Sequence, residues 1–375
     1  MQIAVVGAGP AGLTFATAIA RLRPQARVRV IEQNPKGATF GFGVVFSDKA
    51  LDFLQADDPA THAALAPHLE SWRDIRLVHR GETVTIDGVG FSAIARLALN
   101  DILATQAVAS GVAIDWGRRL DDISEVADAD LIVGADGVNS PVRQSDPAGF
   151  GASVAFLSNR FAWYGVAMAF ETLTQTFVAG PHGALTAHHY RYRPDMSTFI
   201  VEITDEVFER SGLAAMDEDA QRHYCAEAFC ATLGGRPLIA NRSAWRQFPV
   251  VANARYCSGN RVLLGDALHT AHFSIGSGTR LAMEDGLALA RAIAAHGDDI
   301  AAGLATYEAE RRPVLEKLVG AASQSAAWYE HFGAHMALDP RALALSYVQR
   351  SGRIDGERLK SMAPRFMAQT GDLEA

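Results

Sequence analysis

The chain has 375 residues, 49% of them apolar and 20% charged, an ordinary globular composition with length for two or three domains at ~100–200 residues each. Its formal net charge of -8 argues against non-specific nucleic-acid binding, because a polyanion is repelled at long range; a local basic pocket for an anionic ligand remains compatible with it. The three cysteines, Cys225, Cys230 and Cys257, make no C-x-x-C pair and no even framework for disulfides. The first apolar run, residues 3–6, is too short for a signal peptide, and no run approaches the ~20 apolar residues of a membrane span, so the expected location is the cytoplasm.

Residues 3–6 are unbroken and largely β-branched, and they stop at Gly7; they predict a buried strand. Residues 11–22 carry Leu13, Ala16, Ala20 and Leu22 on a helical pattern that Pro24 ends. Residues 27–31 alternate toward a second strand closed by Glu32, completing a βαβ unit of about 30 residues. Residues 74–91 predict an antiparallel hairpin with Arg80-Gly81-Glu82 as its turn, and residues 93–109 predict a helix. A short buried strand is expected at residues 130–134. Between about residues 153 and 204 the chain turns β-rich, with Trp163, Tyr164, Tyr190 and Tyr192. Residues 215–232 predict helix, residues 261–264 another buried strand, and the chain beyond residue 279 is mostly helical. The β-rich block therefore reads as an insertion in a discontinuous α/β domain. The expected division is residues 1–72, 93–150 and 256–330 for the α/β domain, 73–92 and 151–255 for the β-rich domain, and 331–375 for a helical C-terminal segment.

Three segments carry the chemistry. Gly7-Ala8-Gly9-Pro10-Ala11-Gly12 follows a strand and opens a helix. Its glycines permit a tight turn, close approach of backbone to a pyrophosphate, and close helix–strand packing, and the helix start offers free N–H groups. Glu32 lies about twenty residues on, where a carboxylate binds ribose hydroxyls. This unit defines a dinucleotide site without separating FAD from NAD. Gly134-Ala135-Asp136-Gly137-Val138-Asn139-Ser140 and Gly265-Asp266-Ala267-Leu268-His269 each follow a short buried strand, at the end of a sheet where open α/β folds bind ligands. The loop of Gly276, Ser277, Gly278 and Thr279 can bring N–H groups to a phosphate or ring edge.

Taken together, in this order, the three segments resemble the single-component (group A) FAD-dependent aromatic hydroxylases, over essentially the whole chain. Tyr307-Glu308-Ala309-Glu310-Arg311-Arg312-Pro313 is similar to a tail segment of that family. The resemblance implies an α/β fold: a Rossmann-type FAD-binding domain with an inserted β-sheet substrate domain and a helical C-terminal region. It places Gly7, Gly9, Pro10, Ala11, Gly12, Glu32 and Gln33 on the ADP half of FAD. Asp266 falls near the ribityl and pyrophosphate region, Arg96 near the pyrophosphate, and Asp136, Gly43, Val44, Gly276, Gly278 and Thr279 around the cofactor pocket. Two positions depart from the family: Gln33 stands where Arg or Lys often follows the ribose-binding acid, and Phe273 lies in a stretch where proline is usual. His272-Phe273-Ser274-Ile275-Gly276 is similar to a subgroup, the salicylyl-CoA and 2-aminobenzoyl-CoA hydroxylases and the violacein-pathway tryptophan hydroxylases. Gly41-Phe42-Gly43-Val44-Val45-Phe46-Ser47, Trp163-Tyr164-Gly165 and Met196-Ser197-Thr198-Phe199-Ile200-Val201-Glu202 fit the same subgroup. Gln349-Arg350-Ser351-Gly352-Arg353-Ile354 leans toward its aryl-CoA branch.

The activity this implies is aromatic hydroxylation with NADH or NADPH and dioxygen through a flavin hydroperoxide, on an aryl-CoA thioester or alternatively on tryptophan or another indole. A non-catalytic FAD-binding protein is the reading from another class. His272, Phe273 and Tyr164 are the candidate catalytic residues. Trp163, Tyr164, His188, Arg191 and Arg193 are the candidate substrate residues, with the two arginines placed on one strand face for CoA phosphates. The histidines lack an acid at ligand spacing, so no metal is expected. The expected partner is a small aromatic molecule, with neither nucleic acid nor membrane, and a homodimer is admissible.

Overall fold

The structure is a computed structural model describing residues 1–47 and 51–370. Its nucleotide half is a six-stranded sheet in the order Cys257–Ser258, Arg261–Leu263, Leu131–Gly134, Gln2–Val6, Arg27–Glu32, Ala113–Trp116. All neighbours run parallel except the first pair, an antiparallel edge. The central strands are covered on both faces, which explains their continuous apolar character. The helix Pro10–Leu22 and the 19-residue helix Gly278–His296 lie together; a Cβ on Gly286 would come within 2.7 Å of the Ala11 carbonyl oxygen. Only glycine allows that approach.

The second sheet has eight strands. Ala152–Val166, Met196–Ile203, Gly183–Arg193 and Thr174–Gly180 form its antiparallel centre, with Arg246–Asn253 beside the first. The hairpin Ile75–His79 and Glu82–Ile86 joins it through a parallel pairing to Thr174–Gly180. Its turn has two residues rather than three: Arg80 and Gly81 take φ of 51° and 79° while Glu82 already pairs with His79. Two consecutive positive φ values are the tight-hairpin geometry. The predicted helix at 93–109 also changes. Phe91–Ala95 is a strand between Gly43–Ser47 and Glu70–Trp72, and the helix begins at Arg96. Pairing on both edges overrides the helical pattern of residues 93–95.

Three apolar cores result. One surrounds the six-stranded sheet, and a second lies under the long strands with residues Val207, Phe208, Cys225 and Phe229. The third joins the hairpin to the C-terminal helices through Leu77, Ile86, Trp328, Phe332, Leu343 and Phe366. Helices Pro340–Gln349, Gly356–Met362 and Pro364–Thr370 therefore rest on the hairpin, anchored further by the Asp87 carboxylate, which accepts from the Arg365 and Phe366 amides. Among the described residues no helix is long and apolar enough to cross a membrane.

Candidate active site

The three glycine-bearing loops are neighbours because their strands are neighbours. Gln2–Val6, Leu131–Gly134 and Arg261–Leu263 stand side by side, so residues 7–12, 135–140 and 265–269 meet at one sheet edge. Backbone hydrogen bonds tie them: Gly7 donates to Ile31, Ala135 to Val6 and Leu264 to Gly134, all at 2.8–2.9 Å. Gly7 sits at φ +103°, where a Cβ would fall 2.2 Å from the Ala135 carbonyl oxygen, and a Cβ on Gly12 would fall 2.1 Å from that of Gly7. Gly9 has nothing within 4 Å of such an atom, so its bare backbone faces open space. That is the floor a pyrophosphate needs.

A crevice runs over this floor. At one end it is lined by Glu32, Gln33, Asn34, Arg118 and Arg119. Glu32 Oε1 accepts from the Asn34 backbone and side-chain N–H groups, and Oε2 from the Ala8 N–H at 2.8 Å. Glu32 thus braces the glycine loop, and a lone pair on Oε2 is left for a hydroxyl. Arg118 and Arg119, which the sequence pattern did not single out, also line this end, paired with Asp115 and Glu125 and with Asp121 respectively. The other end is a cavity of about 320 Å³ that shares Gly9, Ala135 and Gly137 with the first. Pro10, Ala11, Val44, Arg96, Asp266, Gly276, Gly278 and Thr279 all line it. Gly43 does not; it is buried beneath, its N–H donating to Thr198 Oγ1 and its carbonyl accepting from the Tyr190 hydroxyl.

Two opposite charges face this cavity. Asp266 presents its carboxylate to the open space with protein around it on the other sides. Burial raises its pKa, and His269 and Arg96 oppose that rise. Arg96 makes no ion pair among the described residues. Its Nη1 donates to the Phe40 carbonyl at 3.4 Å, and its guanidinium lies 5.7 Å from the Trp163 ring. Burial lowers its pKa and Asp266 partly restores it. An arginine held in a cavity without an ion-pair partner suits a phosphate. Asp136 lies at the far end, its Oδ2 accepting from the Val142 N–H while buried Oδ1 has no protein partner; burial pushes its carboxyl up to about 6.

One supporting group escaped the sequence reading. Asp285 is fully buried on the helix Gly278–His296, where its Oδ2 accepts from His269 Nε2 at 2.8 Å and from the Gly265 N–H at 3.1 Å. Its Oδ1 takes both Nε and Nη2 of Arg311 at 2.9 and 2.7 Å. These bonds fix the loop that carries Asp266. Arg143 does the same for the middle loop by donating to the Ala267 and Val138 carbonyls.

The remaining wall is aromatic: Phe161, Trp163, His188, Tyr190, Phe248 and Phe273. Phe161 and Phe248 were not singled out from sequence. The structure corrects four expectations. Tyr164 is fully buried on the opposite face from Trp163, in the core with Phe199 and Cys225, because successive strand residues alternate. His272 is buried behind the cavity, its Nδ1 bound to Ser274 Oγ at 2.9 Å, and only its neighbour Phe273 reaches the lining. Arg191 is held by Glu70 at 2.7 Å and by the Phe170 carbonyl, and Arg193 by Asp195 at 2.9 Å. Neither arginine lines the cavity, and both are charge-neutralised. His188 does line it. It is 4% exposed, both ring nitrogens lack partners, and burial holds its pKa down at about 3.

A Rossmann crevice that opens into an aromatic cavity joins a dinucleotide site to a place for an apolar ring. The family described as FAD binding domain matches residues 88–322, more than half of the chain, and the chain belongs to that family. A family described as NAD(P)-binding Rossmann-like domain matches residues 5–42, the span of the glycine loop and Glu32. Among curated proteins the chain is similar to salicyloyl-CoA 5-hydroxylase of a Streptomyces species, at 40% identity over 94% of this chain and 70% of that protein. It is also similar to 3-hydroxy-4-methyl-anthranilyl-[aryl-carrier protein] 5-monooxygenase of Streptosporangium sibiricum, at 35% identity over 88% and 89%. Among solved structures, 2-methyl-3-hydroxypyridine-5-carboxylic acid oxygenase shares the fold, with TM-score 0.72, 18% identity and 96% of each chain covered.

Proposed function

We propose that this protein is an FAD-dependent, NADH- or NADPH-using monooxygenase that hydroxylates the ring of an aryl-CoA thioester of the salicyloyl-CoA or 2-aminobenzoyl-CoA type. The observation that carries it is the aromatic cavity opening directly off the glycine crevice, with Arg96 and Asp266 at the junction. Both relatives named above act on an aryl acyl group held on CoA or on an aryl-carrier protein.

When bound, FAD would supply the redox chemistry with reduced nicotinamide and dioxygen, and the residues of this chain would bind and orient it. The N–H groups of Gly9, Ala11 and Gly12 at the helix start would hold the pyrophosphate, with Gly7 and Pro10 shaping the turn and Arg96 as its counter-charge. Glu32 and Gln33 would hold the adenosine ribose, Asp266 would accept from ribityl hydroxyls, and Asp136 would support the crevice at the Glu32 end. Val44, Gly276, Gly278 and Thr279, which line the cavity, would border the ring system. Phe161, Trp163, Phe248 and Phe273 keep water from the substrate ring and orient it by face and edge contacts. His188 is neutral at physiological pH, so it offers one N–H donor and one acceptor to a phenol, an amine or a thioester carbonyl.

The test is to purify the yellow protein and follow NADH and NADPH oxidation with aryl-CoA thioesters, their free acids and indoles. Thioesters are expected to stimulate oxidation and to be hydroxylated. Stimulation by free acids or indoles alone would defeat the thioester reading, and no stimulation by any aromatic would favour a non-catalytic flavin protein.

A further inference from the structure

A second cavity, of about 470 Å³, adjoins the aromatic one and shares Val45, His188, Gly276 and Ser277 with it. Four arginines line it, Arg280, Arg350, Arg353 and Arg358, with no acidic residue among the described lining. In a chain of net charge -8 this is a local reversal of sign. The four guanidiniums differ in what already satisfies them. Arg280 is offset by Glu284 at 2.7 Å. Arg350 is fixed by the Ser274 and Tyr347 carbonyls and lies 3.9 Å from the Tyr347 ring centre. Arg353 and Arg358 are exposed and pair with no carboxylate among the described residues. Their neighbouring acids are engaged elsewhere: Asp355 caps the helix through the Arg358 backbone N–H, and Glu357 holds Lys360.

Like charges gathered without counter-charge are unfavourable in the isolated protein; burial first, and then the charges of Arg358 and Arg280, lower the pKa of Arg353. An anion relieves that repulsion. His188 marks where such a ligand passes inward, since it borders both cavities and neither of its ring nitrogens has a protein partner. Apart from the arginines and a few serines, the lining is largely apolar, with Ile75, Val89, Phe91, Leu173 and Ile354. A ligand matched to this profile has a polyanionic end, a slender arm and a group that enters the aromatic cavity.

We propose that this arginine-rimmed cavity is the docking site for the phosphate-bearing end of the CoA thioester, with Arg353 and Arg358 on the phosphates and the pantetheine arm running past His188. The proposal rests on the aryl-CoA reading above. Two guanidiniums without a carboxylate, of which Arg358 donates only to the Arg353 carbonyl at 3.4 Å, beside two more fully engaged ones match the several phosphate charges of CoA better than the single phosphodiester of a carrier-bound arm.

Free CoA binding to the FAD-loaded enzyme, measured by titration calorimetry, tests the site without turnover. Wild type is expected to bind, more weakly as salt rises. The double variant R353A/R358A should bind at least about tenfold more weakly, with unchanged FAD content, while R191A should stay within about twofold. No CoA binding by wild type, or equal binding by wild type and the double variant, would overturn the proposal. CoA binding lost in the double variant, together with no thioester-stimulated oxidation in wild type, would uphold this site and defeat the substrate reading instead.

Discussion

The two cavities that meet at His188 are built in different ways. The floor of the aromatic cavity comes from the ends of three adjacent parallel strands that deliver their loops to one edge, and most of its aromatic wall comes from the long strands of the second sheet. The arginine cavity borders the paired strands Gly43–Ser47 and Phe91–Ala95, but its four arginines come from the helix Gly278–His296 and the C-terminal segment. The first is stiffened by a buried Asp285–Arg311–His269 network; the second has charges that nothing in the described protein balances. A cofactor that stays and a substrate that comes and goes call for that contrast: a rigid cradle for one, an electrostatic mouth for the other.

The largest effect that would test the rigid half is Asp285→Ala. Removing this carboxylate takes the closest acceptor from Arg311 and leaves Glu284 at 3.3 Å as its remaining acid, and a loss toward the lower end of ~3–5 kcal/mol is expected, read as a lower unfolding temperature with loosened FAD. An unchanged melting curve would show that the loop is held by something else. Asp266→Ala should leave the fold intact and yield mostly apoprotein, FAD retention falling at least about tenfold if its hydrogen bonds to the ribityl chain are charge-assisted. Full retention of FAD would remove Asp266 from the cofactor site.

A smaller effect concerns Glu202. This residue is 3% exposed, accepts from Asn159 Nδ2 at 2.9 Å, and is pushed by burial up to about 8 from an ordinary 4.5. The folded protein therefore holds a proton that the unfolded chain releases between those values, so stability falls as pH rises from about 4.5 to about 8 and levels off above. Glu202→Gln should remove that slope, worth at most a few kcal/mol at the upper end. An identical pH–stability curve would mean the carboxyl is ionised at neutrality. The smallest effect separates the two faces of one strand: Tyr164→Phe should leave turnover unchanged and alter stability by about 1 kcal/mol or less, whereas Trp163→Ala should raise KM for the aromatic substrate. A large loss of kcat in Tyr164→Phe would return that hydroxyl to the active site.

The crevice was readable in the sequence because its parts obey local rules: a glycine at each required turn and a strand before each loop. The segments 41–47, 163–165 and 196–202, noted separately for their resemblance, also meet in space. Gly41 lies against Trp163, Phe42 against Gly165, and the Gly43 N–H reaches Thr198. The substrate wall was harder to read. The long strands are covered on both faces, so Trp163 and Tyr164 are both large and aromatic, and alternation does not say which face holds the cavity. Alternation also failed at Arg191 and Arg193, where the strand register shifts between the two, and the acid that engages Arg191 is Glu70, distant in sequence. The Asp285 network was illegible for a similar reason, since its partners at 265, 269 and 311 come together only when the two long helices close on the loop.

The most direct test of the central claim is isotopic. An aryl-CoA thioester is incubated with the holoenzyme, reduced nicotinamide and labelled dioxygen, and the hydroxylated product is analysed by mass spectrometry. One labelled oxygen on the ring of the intact thioester is the expected result. Label arriving only on free acids or indoles, or oxygen drawn from water, would contradict it.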